Sequence, residues 1–377
     1  MRREEERESM GGNPLRLPAL LILLLCSPAV AHSKCVLFNF GDSNSDTGGL
    51  MAGLGLYLGP PSGRQFFHRP TGRFCDGRLY IDFLCERLKM SYLSPYLESL
   101  PGSNFTHGVN FAVAGAATES TAIPFPLSTQ VLQFLHFKNR TRELRPQGSG
   151  SLLSEKEFQN AVYSIDIGQN DVSTPFSANL SYAEVVVKIP SILSRIGAAI
   201  EASQSLVHTQ LLHENGGRKF WIYNTGPLGC LPQKLALLRK DDSELDSLGC
   251  LADLNDAAKA FNAGLSELCD RLRSDFKNAT IVYADVYAIK QDLIANHTKY
   301  GFENPLMACC GYGGPPYNYK FRMTCGEPTV TACAEGSRYI SWDGVHNTEA
   351  ANSIIASKIL SAKYSTPQIK LKDLCKG

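Results

Sequence analysis

No excess of either charge marks this chain: Lys and Arg number 37 against 36 Asp and Glu in 377 residues, a formal net charge of +1. Without a basic face there is no electrostatic case for nucleic acid or for an acidic membrane surface. The sequence also lacks an apolar run of the roughly twenty residues that a bilayer crossing needs. Its longest apolar core, Leu17 to Leu25, falls well short, so no stable membrane span is expected. No two cysteines stand in a C-x-x-C pair, and the group Cys309, Cys310, Cys325 and Cys333 has no histidine after it until His346. Zinc is therefore disfavoured, and no metal is expected. Asp42, Asn44 and Asp46 alternate like the start of a calcium loop, but Thr47 and Gly53 occupy the positions that require glycine and glutamate. Gly53, Gly55 and Gly59 have the wrong spacing for a dinucleotide-binding turn. Internal repeats and low-complexity tracts are missing too, and the glycine and proline clusters at 59–63 and 311–316 are too short to be linkers.

What is present begins with a leader. Leu17 to Leu25 followed by Ala29-Val30-Ala31 reads as a secretory signal over residues 1–31, cleaved before His32, with residues 32–377 as one domain. Removing the leader takes Cys26 with it and leaves eleven of the 12 cysteines. In a secreted chain these argue for disulfides. Cys230, Cys250, Cys309, Cys310, Cys325 and Cys333 are the candidates, and the odd total leaves at least one cysteine free or paired between chains. N-x-S/T sequons at Asn104, Asn139, Asn179, Asn278 and Asn296 are glycosylation candidates that agree with the secretory route.

Along the chain the apolar period switches repeatedly between strand and helix. Strands are expected near Val36 to Phe40, Val109, Tyr163 to Ile167, Arg218 to Tyr223 and Ile281 to Tyr287. Helices are expected over Leu79 to Leu88, Leu132 to Phe137, Val185 to Leu212 and Leu251 to Leu272. Strands alternating with helices predict an α/β fold with a parallel sheet.

Several of these strands end in polar turns that carry chemistry. The first stops at Gly41, and Ser43 follows just past its carboxyl end, where open α/β sheets bind ligands; it is a candidate nucleophile. A serine hydroxyl needs a base, and Ser341-Trp342-Asp343-Gly344-Val345-His346 supplies one. Three residues apart on a helical turn, Asp343 and His346 would share a face, His346 as base and Asp343 as its orienter. Gly108 to Ala116 runs into a small-residue turn whose Gly115 lets backbone N–H groups approach a ligand. Tyr163 to Asp171 ends at Asn170, whose amide offers a second, side-chain donor to an oxyanion. Aromatic residues flank both ends of the set: Tyr57, Phe66, Phe67 and His68 after the serine, and Tyr312, Tyr317 and Tyr319 before the histidine. Such rings line acyl pockets, stack on sugars or simply pack on the core.

The blocks GDSNSDTGG, GVNFAVAGA, IGQND and WDGVH, in that order, resemble the GDSL (SGNH) serine hydrolases in their large plant secreted branch. The likeness covers nearly the whole chain after the leader. It implies a three-layer α/β/α fold with a five-stranded parallel sheet, and Ser43, Asp343 and His346 as catalytic residues. It further implies an oxyanion hole of the Ser43 and Gly115 amides and the Asn170 side chain, with no cofactor. The G-x-S-x-G elbow of α/β-hydrolases is a different context, since Ser45 stands where that motif has glycine. The expected activity is a serine esterase in the cell wall, extracellular space or Golgi lumen. Its expected substrates are acetyl esters of cell-wall polysaccharides such as xylan, or small acylated metabolites. Acyl transfer to a sugar or phenolic hydroxyl and lipase activity are the neighbouring alternatives. A non-catalytic carbohydrate-binding glycoprotein is the alternative from another class.

Overall fold

Short, almost continuously apolar strands pair in parallel when helices cover both of their faces, and this chain follows that rule. In a computed structural model, which describes residues 34–100, 102–147, 152–201 and 212–376, five such strands form: β1 (Leu37–Gly41), β2 (Gly108–Asn110), β3 (Val162–Asp166), β4 (Lys219–Tyr223) and β5 (Thr280–Ala284). The leader read over residues 1–31 lies outside the described residues. Three two-residue strands follow: β6 (Cys310–Gly311), β7 (Thr331–Ala332) and β8 (Ser365–Thr366).

The central sheet runs β2-β1-β3-β4-β5-β8. Its first five strands are parallel, as the resemblance implies, and β8 adds a short antiparallel edge against Tyr283 and Ala284. Strand order reverses at β1, so the chain leaves β1 toward one edge and β3 toward the other. A crevice opens between their carboxyl ends, where open sheets of this order bind ligands.

Alternate residues of each strand feed opposite layers. Phe38, Phe40, Tyr163, Ile165, Phe220 and Ile222 pack against the helices Leu127–Leu144, Ile189–Ile200 and Ala252–Asp275. Leu37, Val162, Trp221, Tyr223 and Val282 pack against Tyr80–Arg87, Val286–Ala295 and Glu349–Leu360. The first layer is aromatic at its centre: the Phe38 ring lies 5.1 Å from Phe134 and 5.3 Å from Phe158. Truncating such a ring to alanine costs about 3–5 kcal/mol.

Two expectations change in the structure. The long helix read over Val185 to Leu212 is two helices, Tyr182–Val186 and Ile189–Ile200. Pro190 has no N–H to continue the first and sits in the opening turn of the second; residues 202–211 lie outside the described set. The fifth strand ends at Ala284 rather than Tyr287, because the Asp285 carboxylate accepts the Ala288 N–H at 3.0 Å and starts a helix.

The structure pairs Cys230 with Cys250, Cys309 with Cys333 and Cys310 with Cys325. A fourth bridge, Cys35–Cys375, has no counterpart in the sequence reading; it joins the lead into β1 to the end of the described chain across 340 residues. Cys75, Cys85 and Cys269 are free and buried. Bridges of this number belong to an oxidising compartment. Among the described residues no helix is long and apolar enough to cross a membrane.

Cross-linking the most distant positions removes the most freedom from the unfolded chain. Cys35→Ser/Cys375→Ser should therefore lower unfolding stability by on the order of 2–5 kcal/mol, read from the denaturant midpoint of the oxidised protein. A midpoint equal to wild type would show that the bridge does not constrain the chain.

Candidate active site

The site is built from the turns that follow β1, β2 and β3 together with a loop near the end of the chain. Gly41 ends β1 so close to β3 that a Cβ there would lie 2.4 Å from the Asp166 carbonyl oxygen. Gln130 clamps the same residue, donating to the Gly41 carbonyl and accepting the Gly41 N–H, both at 2.8 Å. Ser43 follows, buried at 5 % exposure. Its backbone N–H makes no hydrogen bond among the described residues.

The turn after Ser43 is held by Asp46, a buried carboxylate whose sequence context suits a helix cap as well as the calcium ligand rejected above. Oδ1 accepts the N–H groups of Gly48, at 2.7 Å, and Gly49, and Oδ2 those of Leu50 at 3.0 Å and Ala114 at 2.7 Å. The first three are orphan donors of a helix start, and the fourth belongs to the turn after β2. Gly115, next in that turn, has φ +78° and a half-exposed backbone, and its N–H too is unpaired among the described residues. An aspartate just ahead of paired glycines is a helix-capping signal that the sequence carries openly.

Asn170 and Asp171 open the helix Gln169–Ser177 and tie it to the same turn. Asn170 Nδ2 donates to the Ala116 carbonyl at 2.9 Å, which fixes the amide and leaves its second proton for a ligand. Asp171 accepts the Thr118 N–H at 2.9 Å and its hydroxyl at 2.6 Å. Thus the segments carrying Ser43, Gly115 and Asn170 are fastened to one another.

Asp343 and His346 meet, but not on a helical turn as the spacing suggested. Residues 341–347 form a tight loop closed by a bridge between Ser341 and Asn347, and Gly344 turns the chain at φ +97°. A Cβ on Gly344 would lie 2.6 Å from the Tyr319 ring. Asp343 Oδ1 accepts the N–H groups of Val345 and His346 at 3.0 and 2.9 Å, and its Oδ2 lies 2.6 Å from His346 Nδ1. Burial alone would raise the Asp343 pKa, but the His346 charge and these hydrogen bonds hold it below the usual carboxylate range. With Nδ1 committed to Asp343, Nε2 is the nitrogen left to act as a base. The Phe74 ring lies 5.0 Å from the imidazole. His346 and Gln169 line one cavity, and Gln169 accepts a hydrogen bond at 3.2 Å from Asn44, the neighbour of Ser43.

Around Asp42, the buried neighbour of Ser43 in the chain, lies a cluster of charged groups that sequence reading missed. Asp42 Oδ1 accepts from the Asn44 backbone at 2.9 Å, while its Oδ2 has no hydrogen-bond partner among the described residues. Asp166 accepts the Tyr80 hydroxyl at 2.7 Å, and Lys290 shares a cavity with Asp166 and Tyr80. Burial and, after it, the Asp166 charge push Asp42 up to about 7. Burial lowers the Lys290 pKa against the pull of both carboxylates. No group of His, Cys, Asp and Glu among the described residues is arranged to hold a metal ion.

A carboxyl whose pKa is raised by folding keeps its proton longer in the folded state. Its contribution to stability therefore falls as pH rises from the ordinary carboxyl range, about 4, through its folded value. Asp42→Asn cannot ionise and keeps an acceptor for Asn44. Its stability relative to wild type should accordingly improve between about pH 5 and about pH 8, followed by urea denaturation. Parallel pH profiles for the two proteins would contradict this.

Comparison with known proteins shows the family. The profile of the GDSL-like lipase/acylhydrolase family matches residues 37–359. A GDSL esterase/lipase of Arabidopsis thaliana is 55% identical over 366 residues, 96% of each chain. A second, GDSL esterase/lipase LIP-4, is 51% identical over 368 residues, again 96% of each chain. The Arabidopsis protein named alpha-L-fucosidase 3 is 41% identical over 372 residues, 92% of this chain and 97% of the other. The names of these relatives differ in what they act on, but the family is common to all of them by likeness to this chain, and the chain belongs to the GDSL lipase/acylhydrolase family of carboxylic ester hydrolases.

Proposed function

We propose that this protein hydrolyses short-chain, chiefly acetyl, esters of cell-wall polysaccharides or small acylated metabolites through a Ser43 acyl-enzyme. His346 Nε2 takes the Ser43 proton as Oγ adds to the ester carbonyl. The tetrahedral oxyanion is held by the N–H groups of Ser43 and Gly115 and the Asn170 amide. Collapse expels the alcohol, which receives the proton from His346, and leaves acyl-Ser43. Water, activated by the same histidine, then releases the acid. The observation that carries this reading is the Asp343–His346 pair, held at 2.6 Å with Nδ1 occupied and Nε2 free for proton transfer. Supporting it, among the described residues the two backbone donors are unpaired and the Asn170 amide is anchored through one proton only.

Residues 1–31 act in this reading as a cleaved secretory signal, and 32–377 as a single hydrolase domain working in the cell wall or Golgi lumen. All five sequon asparagines, Asn104, Asn139, Asn179, Asn278 and Asn296, are exposed in the fold, which supports their glycosylation.

Ser43→Ala should abolish turnover of p-nitrophenyl acetate and leave the fold intact, and His346→Ala should be about as damaging. A His346→Ala variant with near-normal rates would remove histidine from the role of base. Asn170→Ala should lower kcat by roughly a hundredfold with little change in KM; a change confined to KM would make Asn170 a binding residue instead.

The substrate is tested by a chain-length series of p-nitrophenyl esters alongside acetate release from acetylated xylan, with products assayed in the presence of an alcohol acceptor. Fastest cleavage of the acetyl ester together with acetate release is expected. Preference for long acyl chains without acetate release would indicate a lipase, and dominant acyl transfer to the alcohol a transferase.

A further inference from the structure

Beside the catalytic loop the surface carries an open groove of about 390 Å³, lined by Arg239, Tyr312, Pro315, Pro316, Tyr317 and Tyr319, with Ala236 and Lys240 at its helix side. Its volume lies within the roughly 300–1,000 Å³ that small-ligand sites span. One wall is the loop between β6 and β7, doubly cross-linked by Cys309–Cys333 and Cys310–Cys325. That loop is tied to the histidine segment along its backbone: Cys309 N–H donates to Ser341 at 3.0 Å and Cys310 N–H to Trp342 at 2.6 Å. Tyr319 closes the link. Its ring packs on Gly344, and its hydroxyl accepts from Gln233 Nε2 at 2.9 Å, while the Gln233 backbone N–H donates to the Gly344 carbonyl at 3.0 Å. A ligand seated in the groove is therefore held by the same rigid unit that holds Asp343 and His346.

The chemistry of the lining selects its ligand. Tyr312 is 39% exposed, and ring faces and prolines offer flat apolar surface to the C–H faces of sugars. The charge is muted: the Arg239 guanidinium pairs with Asp242 and donates to the Tyr317 hydroxyl at 2.9 Å. Lys240 is the one lining cation without an ion pair among the described residues. Lys320 Nζ stands over the Tyr312 ring, 5.4 Å from its centroid, and the lining has hydrogen-bonding groups for hydroxyls.

We propose that this groove binds the backbone of a neutral glycan, more than one sugar long, and so presents an ester borne by that glycan to Ser43. This deepens, and rests on, the reading of the substrate as a polysaccharide ester.

The test separates binding from chemistry. A dimer-to-hexamer series of deacetylated xylo-oligosaccharides is titrated calorimetrically into the wild-type protein, into Tyr312→Ala and into Ala236→Trp, which fills the groove from its helix side. The unfolding midpoint of each variant reports its fold, and Tyr312, being exposed, can be truncated without loss of core packing. Affinity should rise with oligosaccharide length, and each variant should weaken hexamer binding by roughly tenfold, the size of one lost ring contact. Absent binding, binding that ignores both substitutions, or tighter binding of a uronate-bearing oligosaccharide than of the neutral one would overturn the groove assignment. Hydrolysis of p-nitrophenyl acetate by wild type but not by Ser43→Ala is measured in parallel. Failure there, with groove-dependent binding intact, would overturn the esterase reading instead.

Discussion

Four backbone N–H groups converging on one buried carboxylate hold this site together. Asp46 has no exposure to solvent, and burial raises its pKa while the N–H groups of Gly48, Leu50, Ala114 and Gly49 pull it back. Three of those donors start the helix after Ser43 and one comes from the neighbouring strand's turn. A single side chain thereby fixes the distance between two segments that meet only in the folded state. Among the described residues the N–H groups of Ser43 and Gly115 have no partner. Electrostatic catalysis depends on donors held in place before the charge develops.

Around that clasp the carboxyl ends of the strands form a polar layer inside an otherwise apolar molecule. Asn39 donates to Ser45 at 2.9 Å and to Asn110 at 2.8 Å, and Asn110 donates to the Ser45 carbonyl at 2.6 Å and to Thr47 at 2.9 Å. Beneath lie Asp42, Asp166 and Lys290. Burying such groups is unfavourable unless nearly every one is paired. These bonds tie β1 and β2 to each other and to the turn that carries Ser45 and Thr47. Among the described residues pairing is incomplete at Asp42 Oδ2 and at Asn39 Oδ1, and burial, followed by the Asp166 charge, raises the Asp42 pKa.

Much of this was legible from the residues. Strand ends at Gly41, Asp166 and Tyr223 coincide with the switch from apolar runs to Gly, Asn and Asp, because one physical event, the exit of the chain from the sheet, causes both. Three of the four blocks run out of β1, β2 and β3, and the fourth is a loop near the end of the chain. Asp343 and His346 were recognisable as a pair, yet their geometry was not, since three-residue spacing suits a helical turn as well as a loop, and the choice is made by Gly344 and by backbone bonds to Cys309 and Cys310. Lys290 stayed hidden for a related reason. On its own helix it is one lysine beside apolar residues, and its significance arises only from Asp42, just past β1, and Asp166, at the end of β3, both far from it in sequence. The Cys35–Cys375 bridge likewise depends on an adjacency that nothing local announces.

That bridge makes the folded unit a closed ring. With the Cα atoms of Cys35 and Cys375 4.7 Å apart, every residue between them lies on a covalent circuit. A protease that nicks one exposed loop on that circuit opens the ring but releases no fragment, and the parts remain tethered at high local concentration, able to re-dock. Separating the folded unit into pieces then takes two cuts rather than one. The adjacency of the two ends also marks the sequence as one whose linear order could be rearranged, with new ends opened in a surface loop, without asking the sheet to change.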